Sequence, residues 1–423
     1  MPSRIDILEG EGIANAPPSE YGRGPVVLQG VGTQIAFDSE MLSRHLLFIG
    51  GIGSGKTNAM FHAVAGVRRH MGPDDVMVVF DTKGDYLAEF RRDGDAVVSS
   101  GPEANVGWNV FRDLAAEGDD KRDEAAFEIA QTLFDQRLKA SNQPFFPQAA
   151  SDIVGSCLLA MARSLTKATN ADVRSLFDRS GTEDIKALIE PHEDLRGAWH
   201  YISNEKSPQT QGVMSEAQQA IRETFVGAFR ERGDFSIREF VHLKGGKAVF
   251  IEYDIAAGHI LEPIYRILLD LAIKEALSRR RSTGHVYFVL DEFSLLPNLS
   301  YVENGVNFGR SLGAKFLVGT QNVGQVLEAY SEGRGTSILA GFGTVFGFRL
   351  YDAKSREFVR NRHGTNRKRV LVPSVIGSRG MIEEMVYGAV IEDWDLSGLA
   401  VGEAVVSLPT GAPFKFKFKE YGG

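Results

Sequence analysis

The chain has 423 residues, with 47 Lys+Arg against 55 Asp+Glu, and 43% of its residues are hydrophobic. At about 150 residues per domain this length predicts two or three domains with a large core, which excludes disorder for the bulk of the chain. The net charge of −8 excludes a protein that coats nucleic acid with its whole surface, because such binding needs an excess of cations facing the phosphates. A local basic site is compatible with this charge.

The single cysteine, Cys157, lies in an apolar stretch and is interpreted as a core residue, since one thiol forms neither an intrachain disulfide nor a metal cluster. Residues 1–22 contain no apolar block, so no secretory signal is expected. No window approaches the roughly 18 to 20 apolar residues that a membrane helix needs. These features predict a cytoplasmic protein without a membrane segment of its own.

The first predicted elements form a βαβ unit. A strand or hairpin is predicted at 26–37, and a short apolar strand at 44–49 is followed by glycines and then by a helix at 59–67. A second strand is predicted at 76–80. Strand, loop, helix and strand at this spacing are typical of a parallel sheet.

Helical periodicity replaces strand patterns from about residue 114 to residue 224. Strand signals then return at 247–251, 286–290, 315–319 and 345–348, with helical stretches between them. We therefore predict a discontinuous α/β domain, residues 1–113 and 209–423, interrupted by an inserted all-α domain, residues 114–208.

The strongest motif lies between the predicted strand at 44–49 and the helix after it. It reads Gly50-Gly51-Ile52-Gly53-Ser54-Gly55-Lys56-Thr57 and fits G-x-x-x-x-G-K-[ST]. Glycines let the backbone wrap a polyphosphate and turn its N–H groups inward, where a helix N-terminus adds positive potential. Lys56 would reach the β- and γ-phosphates and Thr57 would ligate Mg²⁺. A glycine-rich turn before a helix would explain the glycines but not the Lys-Thr pair.

Two adjacent acids, Asp291 and Glu292, follow the apolar strand at 286–290. Asp291 would hold the Mg²⁺ shell and Glu292 would polarise the attacking water. Such pairs are common in loops, but together with the phosphate loop they predict an ATPase that uses ATP and Mg²⁺. A nucleotide-binding structural protein would not need the second acid.

Gln321 and Arg310 are two further candidates. Gln321 follows the strand at 315–319 and would sense the γ-phosphate or orient water; the alternative is a polar strand end with its hydrogen bonds satisfied. Arg310 is either a surface cation or a side chain that reaches the nucleotide of a neighbouring subunit. In the second case its guanidinium stabilises transition-state charge and makes hydrolysis depend on assembly.

A local excess of cations follows the last α/β strand. The candidates for DNA-phosphate contacts, next to His363, are Arg360, Arg362, Arg367, Lys368 and Arg369. Phosphate contacts position a nucleic acid without reading its bases, as a motor that moves over any sequence requires.

Several motifs together resemble the type IV secretion coupling proteins, the TraD/TraG group of conjugative DNA-pumping ATPases, which are related to the FtsK and HerA motors. Besides the phosphate loop and Leu290-Asp291-Glu292-Phe293, the motifs are Asp81-Thr82-Lys83-Gly84-Asp85, Trp108-Asn109, Gly309-Arg310, Gly319-Thr320-Gln321-Asn322, Gln325-Val326-Leu327-Glu328-Ala329-Tyr330 and Gly402-Glu403-Ala404-Val405-Val406. The resemblance spans residues 44–421. Thr82 and Val110 stand where the family usually has proline.

The resemblance implies a RecA-like P-loop NTPase fold with a mainly parallel central sheet, and an inserted all-α domain that faces DNA or another substrate. It also implies a homo-oligomeric ring, expected to be a hexamer, with Arg310 at the position of the family's trans-acting arginine. Expected partners are single- or double-stranded DNA and relaxase or secretion-system proteins. The family's N-terminal membrane anchor is not found, so recruitment to the inner face of the membrane would depend on a partner.

The predicted function is a ring-forming motor that couples MgATP hydrolysis to DNA translocation. Three alternatives stay open at this point. One is a coupling ATPase that recruits protein substrates to a secretion system, and another is a HerA-like DNA-processing or anti-phage motor working beside a nuclease. The third is a nucleotide-gated scaffold, against which the Asp291-Glu292 pair argues.

Overall fold

The computed structural model describes residues 5–118, 121–165, 167–256, 258–278, 283–296, 298–373 and 381–422. Its strands are β1 (Ile5–Glu9), β2 (Val26–Gln29), β3 (Gln34–Phe37), β4 (Leu46–Ile49), β5 (Val76–Asp81), β6 (Ala96–Val98), β7 (Lys247–Glu252), β8 (Val286–Leu290), β9 (Ala314–Thr320), β10 (Thr344–Gly347), β11 (Thr365–Pro373), β12 (Met381–Ala389), β13 (Glu403–Ser407) and β14 (Phe414–Lys417).

Helices alternate with the strands at both ends of the chain and occupy its middle. They are α1 (Ser39–Leu42), α2 (Lys56–His70), α3 (Asp85–Phe90), α4 (Val110–Glu117), α5 (Arg122–Ala140), α6 (Phe145–Ser164), α7 (Asn170–Arg179), α8 (Thr182–Ile189), α9 (Arg196–Trp199), α10 (Pro208–Thr224), α11 (Ile237–Leu243), α12 (Gly258–Ala276), α13 (Val302–Phe308), α14 (Val323–Tyr330), α15 (Glu332–Ala340), α16 (Ala353–Asn361) and α17 (Asp393–Ser397).

The chain divides into two compact units. The first unit comprises Met1–Gly72, Tyr287–Asn298 and Val302–Gly423, and the second comprises Pro73–Val286 and Leu299–Tyr301.

The main sheet of the first unit has the strand order β14-β13-β10-β4-β9-β8. Strand β4 runs parallel to β9 and to β10, whereas β13 is antiparallel to β10. All four residues of Leu46–Ile49 are buried, because helices or loops cover both faces of a parallel strand. The strands predicted here from apolar runs are confirmed.

The first unit also contains a separate antiparallel sheet with the order β1-β11-β12. Its central strand carries Arg367, Lys368 and Arg369, three of the basic residues that the sequence presented as a charge cluster, so the sequence did not predict this strand. The predicted hairpin at 26–37 is confirmed as the antiparallel pair β2-β3.

The strands of the second unit are all parallel, in the order β5-β7-β6. A long run of helices, from α4 to α11, separates β6 from β7 in sequence. The chain enters and leaves this helical segment at one place, called the neck here, where residues 107–109 lie beside residues 233–235. The N–H of Asn109 donates to Phe235 O and the N–H of Phe235 donates to Gly107 O, both over 2.9 Å. A Cβ on Gly233 would lie 2.1 Å from Gly107 O, so only glycine permits this approach.

The Trp108-Asn109 motif closes the neck. The Asn109 side chain caps α4 by accepting from Phe111 N, and it donates to Gly233 O over 2.9 Å. The indole of Trp108 is buried and donates to Asp113 Oδ2 over 2.6 Å. This motif therefore organises the base of the helical segment, and it lies just before the predicted domain boundary at residue 114.

Helix α6 is the apolar centre of the helical segment. Of the described residues, Phe145–Ser164 form one helix that is long and apolar enough to cross a membrane, with a mean hydropathy of 1.3 in its best window. The expectation that no such window exists is therefore wrong. Because 72% of that window is buried inside the protein, the apolar character is explained by packing against α5 and α10. Cys157 is buried here, which confirms its interpretation as a core residue.

Candidate nucleotide-binding site

The phosphate loop connects β4 to α2 and takes its shape from glycines. Gly53 and Gly55 have φ angles of +72° and +96°, a region that side chains with a Cβ rarely adopt. A Cβ on Gly51 or Gly53 would meet nothing within 4 Å. The loop is therefore an open cradle that closes directly onto the N-terminus of a 15-residue helix.

Lys56 meets both predicted acids. Its buried ammonium donates to Asp291 O over 2.7 Å and lies 3.4 Å from Asp291 Oδ1 and 3.7 Å from Glu292 Oε2. The structure thus brings together three residues from distant parts of the sequence. The two carboxylates compensate the lysine charge next to the loop, where a phosphate group would compete for it.

The residues around the cradle fit a magnesium-bound nucleotide. Ser54 Oγ is buried and has no hydrogen-bond partner among the described residues, which leaves a donor and an acceptor for a ligand. Thr57 is half-buried in the first turn of α2. Its hydroxyl and the Asp291 carboxylate are the hard oxygen donors that Mg²⁺ prefers.

Glu292 is oriented by its own loop. Ser294 Oγ donates to Glu292 Oε1 over 2.7 Å, while Oε2 faces Lys56. A carboxylate fixed in this way at the end of a strand can accept a proton from a water molecule in the cradle.

Gln321 directly follows β9, at the first glycine of the loop. The N–H of Gly50 donates to the carbonyl of Thr320 over 3.1 Å. Gln321 therefore lies next to the residue at which the phosphate loop begins. A Cβ on Gly319 would lie 2.3 Å from Asp291 O, and this close approach brings β9 against the acid-bearing loop. The Gln321 side chain is half-buried and makes no hydrogen bond to the part of the chain that the structure describes.

Arg310 does not join the site of its own chain. The residue lies in the turn that follows α13; its side chain is 52% exposed, and its guanidinium lies 3.3 Å from Glu40 Oε1. Within the described ranges it contacts neither Lys56 nor the two acids. Its position leaves it available to a neighbouring molecule.

Three members of the basic cluster have partly exposed side chains but acidic neighbours. Arg360, Arg367 and Arg369 are 36%, 35% and 40% exposed and lie within 4 Å of Asp393, of Glu9, and of Asp6 and Glu383, respectively. Their charge is thus partly compensated within the protein.

The other two members act within the fold. Arg362 donates to Phe342 O and Gly343 O over 3.1 and 3.0 Å, and burial lowers its pKa. Lys368 is buried and donates to Glu392 Oε1 over 2.7 Å. A phosphate would have to displace these contacts.

The motif that begins at Asp81 also has a structural role. The Asp81 carboxylate accepts the N–H groups of Lys83, Gly84 and Leu87 and so folds the turn between β5 and α3. The neighbouring Glu252 is paired with Asp81 in the sheet. Burial, followed by the charges of Asp81 and Glu103, raises the pKa of Glu252 to about 8.

Two residues that connect β4 and the phosphate loop to distant segments were not predicted as functional residues. His45 is buried before β4, accepts the N–H of Phe316 at Nδ1 and donates from Nε2 to Val306 O. Gly402 donates its N–H to Ser54 O over 2.8 Å. The sequence contained Gly402 in a motif but gave no sign of this long-range contact.

The glycine cradle, the lysine held between two strand-end acids and the mainly parallel sheet define a P-loop nucleoside-triphosphatase. The family model of the type IV secretion-system coupling protein DNA-binding domain matches residues 31–380. The chain therefore belongs to this family, as the resemblance predicted.

Solved structures agree on the fold. The bacterial conjugative coupling protein TrwBdeltaN70 superposes with a TM-score of 0.77 at 18% identity, covering 98% of this chain and 93% of that one. The plasmid coupling protein TrwB in complex with ADP and Mg²⁺ gives 0.74 at 19% identity, with coverages of 99% and 96%. VirB4 of Thermoanaerobacter pseudethanolicus gives 0.58 at 12% identity, with coverages of 96% and 98%. The predicted RecA-like class is thereby confirmed. No protein in the curated collection matches significantly.

Proposed function

We propose that the protein is a ring-forming ATPase that couples MgATP hydrolysis to the translocation of DNA, as a coupling protein of conjugative transfer. The observation that carries this proposal is the Lys56 ammonium within 4 Å of both Asp291 and Glu292 beside an open glycine cradle. Family membership supplies the type IV secretion context. A structure of TrwB with ADP and Mg²⁺ has the same fold, which supports these ligands here.

Binding of the phosphates would use residues 50–57. The N–H groups of the loop and of the first turn of α2 would donate to phosphate oxygens, together with Ser54 Oγ and the Lys56 ammonium. Thr57 and Asp291 would hold Mg²⁺, which supplies charge neutralisation at the β- and γ-phosphates.

Hydrolysis would depend on Glu292 and Gln321. Glu292 takes the proton of the attacking water as a general base, in the orientation fixed by Ser294. Gln321 orients this water or senses the γ-phosphate from the end of β9. Arg310 acts on the nucleotide of the adjacent subunit in a ring of six, where its guanidinium stabilises the transition state.

DNA is the proposed cargo because the matched family is a DNA-binding domain. The inserted all-α domain, residues 114–208, is proposed to face DNA. The discontinuous domain that it interrupts comprises residues 1–113 and 209–423. Arg360, Arg367 and Arg369 are the proposed phosphate contacts of the basic cluster, since their side chains are partly exposed.

The protein is proposed to work in the cytoplasm, where ATP is supplied. Relaxase or secretion-system proteins would recruit it to the inner face of the membrane.

The test is ATP hydrolysis with and without DNA, compared for the wild type, Lys56→Ala and Glu292→Gln. DNA is expected to stimulate the wild type, while Lys56→Ala loses nucleotide binding. Glu292→Gln is expected to retain binding and to lose about 100-fold or more in turnover, as the removal of a general base predicts. Lys354→Ala, an exposed change on α16, is the control. Full hydrolysis by Lys56→Ala would refute the site, and no response to DNA would favour a protein cargo.

A further inference from the structure

The turn that precedes β13 is in main-chain contact with the phosphate loop. Gly402 donates its N–H to Ser54 O over 2.8 Å, and a Cβ on Gly55 would lie 2.6 Å from Gly402 Cα. Two segments more than 300 residues apart in sequence therefore meet through glycines.

This contact fixes the peptide group between Ser54 and Gly55. In a planar trans peptide the carbonyl and the following N–H point in opposite directions. Since the Ser54 carbonyl is directed to Gly402, the N–H of Gly55 is directed away from Gly402. We propose that Gly402 is a positioning residue for the nucleotide, because its N–H holds the Gly55 N–H towards the phosphates. This inference rests on the proposed nucleotide binding.

Gly402 is itself held in a conformation that favours glycine. Its φ is +74°, its carbonyl accepts the N–H of Phe418 over 2.8 Å, and Lys417 Nζ donates to the carbonyl of Val401. A Cβ on Gly402 would have space, since the nearest atoms are Lys417 Nζ at 3.8 Å and Phe418 O at 3.9 Å. A substitution there tests the backbone conformation and not the size of the residue.

The same C-terminal segment also holds the first turns of α2. Asn58 Nδ2 donates to Lys419 O over 3.0 Å, and Tyr421 N donates to Asn58 Oδ1 over 2.8 Å. His62 Nε2 donates to Lys419 O over 2.9 Å. The loop and the helix are thus both hydrogen-bonded to this one C-terminal segment.

The test compares MgADP affinity, measured by titration calorimetry, for the wild type, Gly402→Ala and Gly402→Asn. Gly402→Ala is expected to weaken binding about tenfold, the effect of forcing a Cβ into the left-handed region. Gly402→Asn is expected to lie between Ala and Gly, because Asn tolerates that region better. The control is Gly411→Ala. Gly411 lies between β13 and β14 and has a φ of +87°, so the substitution imposes the same kind of backbone strain. It is expected to lower thermal stability by a similar amount but to leave MgADP affinity unchanged.

Wild-type affinity in Gly402→Ala would overturn the inference while leaving the proposed function intact. Weaker binding by Gly402→Asn than by Gly402→Ala would also overturn it, since size would then decide. If Gly402→Ala does not fold, Lys417→Met provides the second variant, and its MgADP affinity is expected to be about threefold weaker. Wild-type affinity in Lys417→Met would then overturn the inference. A wild type that does not bind MgADP would overturn both this inference and the proposed function.

Discussion

Arg238 on α11 is buried between two carboxylates of the second unit. Its side chain is 5% exposed, Nη2 lies 2.9 Å from Glu275 Oε2, and Nη1 pairs with Glu117. Lys274 Nζ is 3.4 Å from Glu117 Oε1. Because α4 and α11 flank the neck of the helical segment, this network joins the two helices at which the segment begins and ends. Arg238→Met would leave the two carboxylates buried, with Lys274 still beside Glu117 and the His242 ring still beside Glu275.

The expected loss follows from burial. Removing one partner of a buried ion pair costs about 3–5 kcal/mol because the remaining charge is uncompensated. Lys274 stays beside Glu117, so the lower end, about 3 kcal/mol, applies. For a unit of roughly 200 residues each kcal/mol lowers the melting temperature by about 2–4 °C. Arg238→Met should therefore melt about 6–12 °C below the wild type.

Thermal unfolding followed by circular dichroism measures this shift. The matched control is Arg112→Met, since Arg112 pairs with Glu239 over 2.9 Å but the two side chains are 51% and 39% exposed. An exposed pair contributes about 1 kcal/mol or less. Replacing Glu117 and Glu275 by Gln in the Arg238→Met background should recover part of the loss. The reasoning is refuted if Arg238→Met lowers the melting temperature no more than Arg112→Met does.

Three further predictions concern single residues. Burial lowers the pKa of His45 from 6.5 to about 4, so the stabilisation by the neutral ring is present above pH 6.5 and is lost as pH falls to 4, about 3 kcal/mol in all. The free energy of unfolding, measured with urea, should therefore fall more steeply with decreasing pH for the wild type than for His45→Gln. Equal slopes for the two proteins would contradict the lowered pKa. Arg310→Ala should bind MgADP normally but hydrolyse ATP at least 100-fold more slowly. Mixing it with Lys56→Ala should restore activity, because the Lys56→Ala subunits supply Arg310 to the intact phosphate loops of the Arg310→Ala subunits. An active Arg310→Ala would exclude the role of Arg310 at the neighbouring subunit. Burial raises the pKa of Cys157 to about 12, so a disulfide reagent should label it only after unfolding, and rapid labelling of the native protein would show that α6 is accessible.

The sequence predicted the parts of the fold that are local. The runs Leu46–Ile49 and Val286–Leu290 are apolar throughout because both faces of these strands are buried. The phosphate loop was predictable because its glycines, Lys56 and Thr57 are adjacent in sequence. The proximity of Lys56 to the two acids was predictable because ligand-binding residues of parallel sheets lie at the carboxyl ends of the strands.

Long-range contacts account for what was missed. Strand β11 pairs with β1, which lies about 360 residues earlier, so its Arg and Lys residues appeared as a charge cluster instead of a strand. The neck depends on Gly107 and Gly233 approaching each other, which no local pattern predicts. Helix α6 is apolar on nearly every side because it is the centre of a helical bundle, and hydropathy alone does not separate this case from a membrane segment.

Movement along DNA tests the central claim most directly. Displacement of a triplex-forming strand from a linear duplex measures translocation independently of hydrolysis. The wild type with MgATP should displace the third strand, and Glu292→Gln should bind nucleotide and DNA without displacing it. A protein that hydrolyses ATP in the presence of DNA but leaves the triplex intact, under conditions where a known translocase removes it, would contradict the proposed motor function.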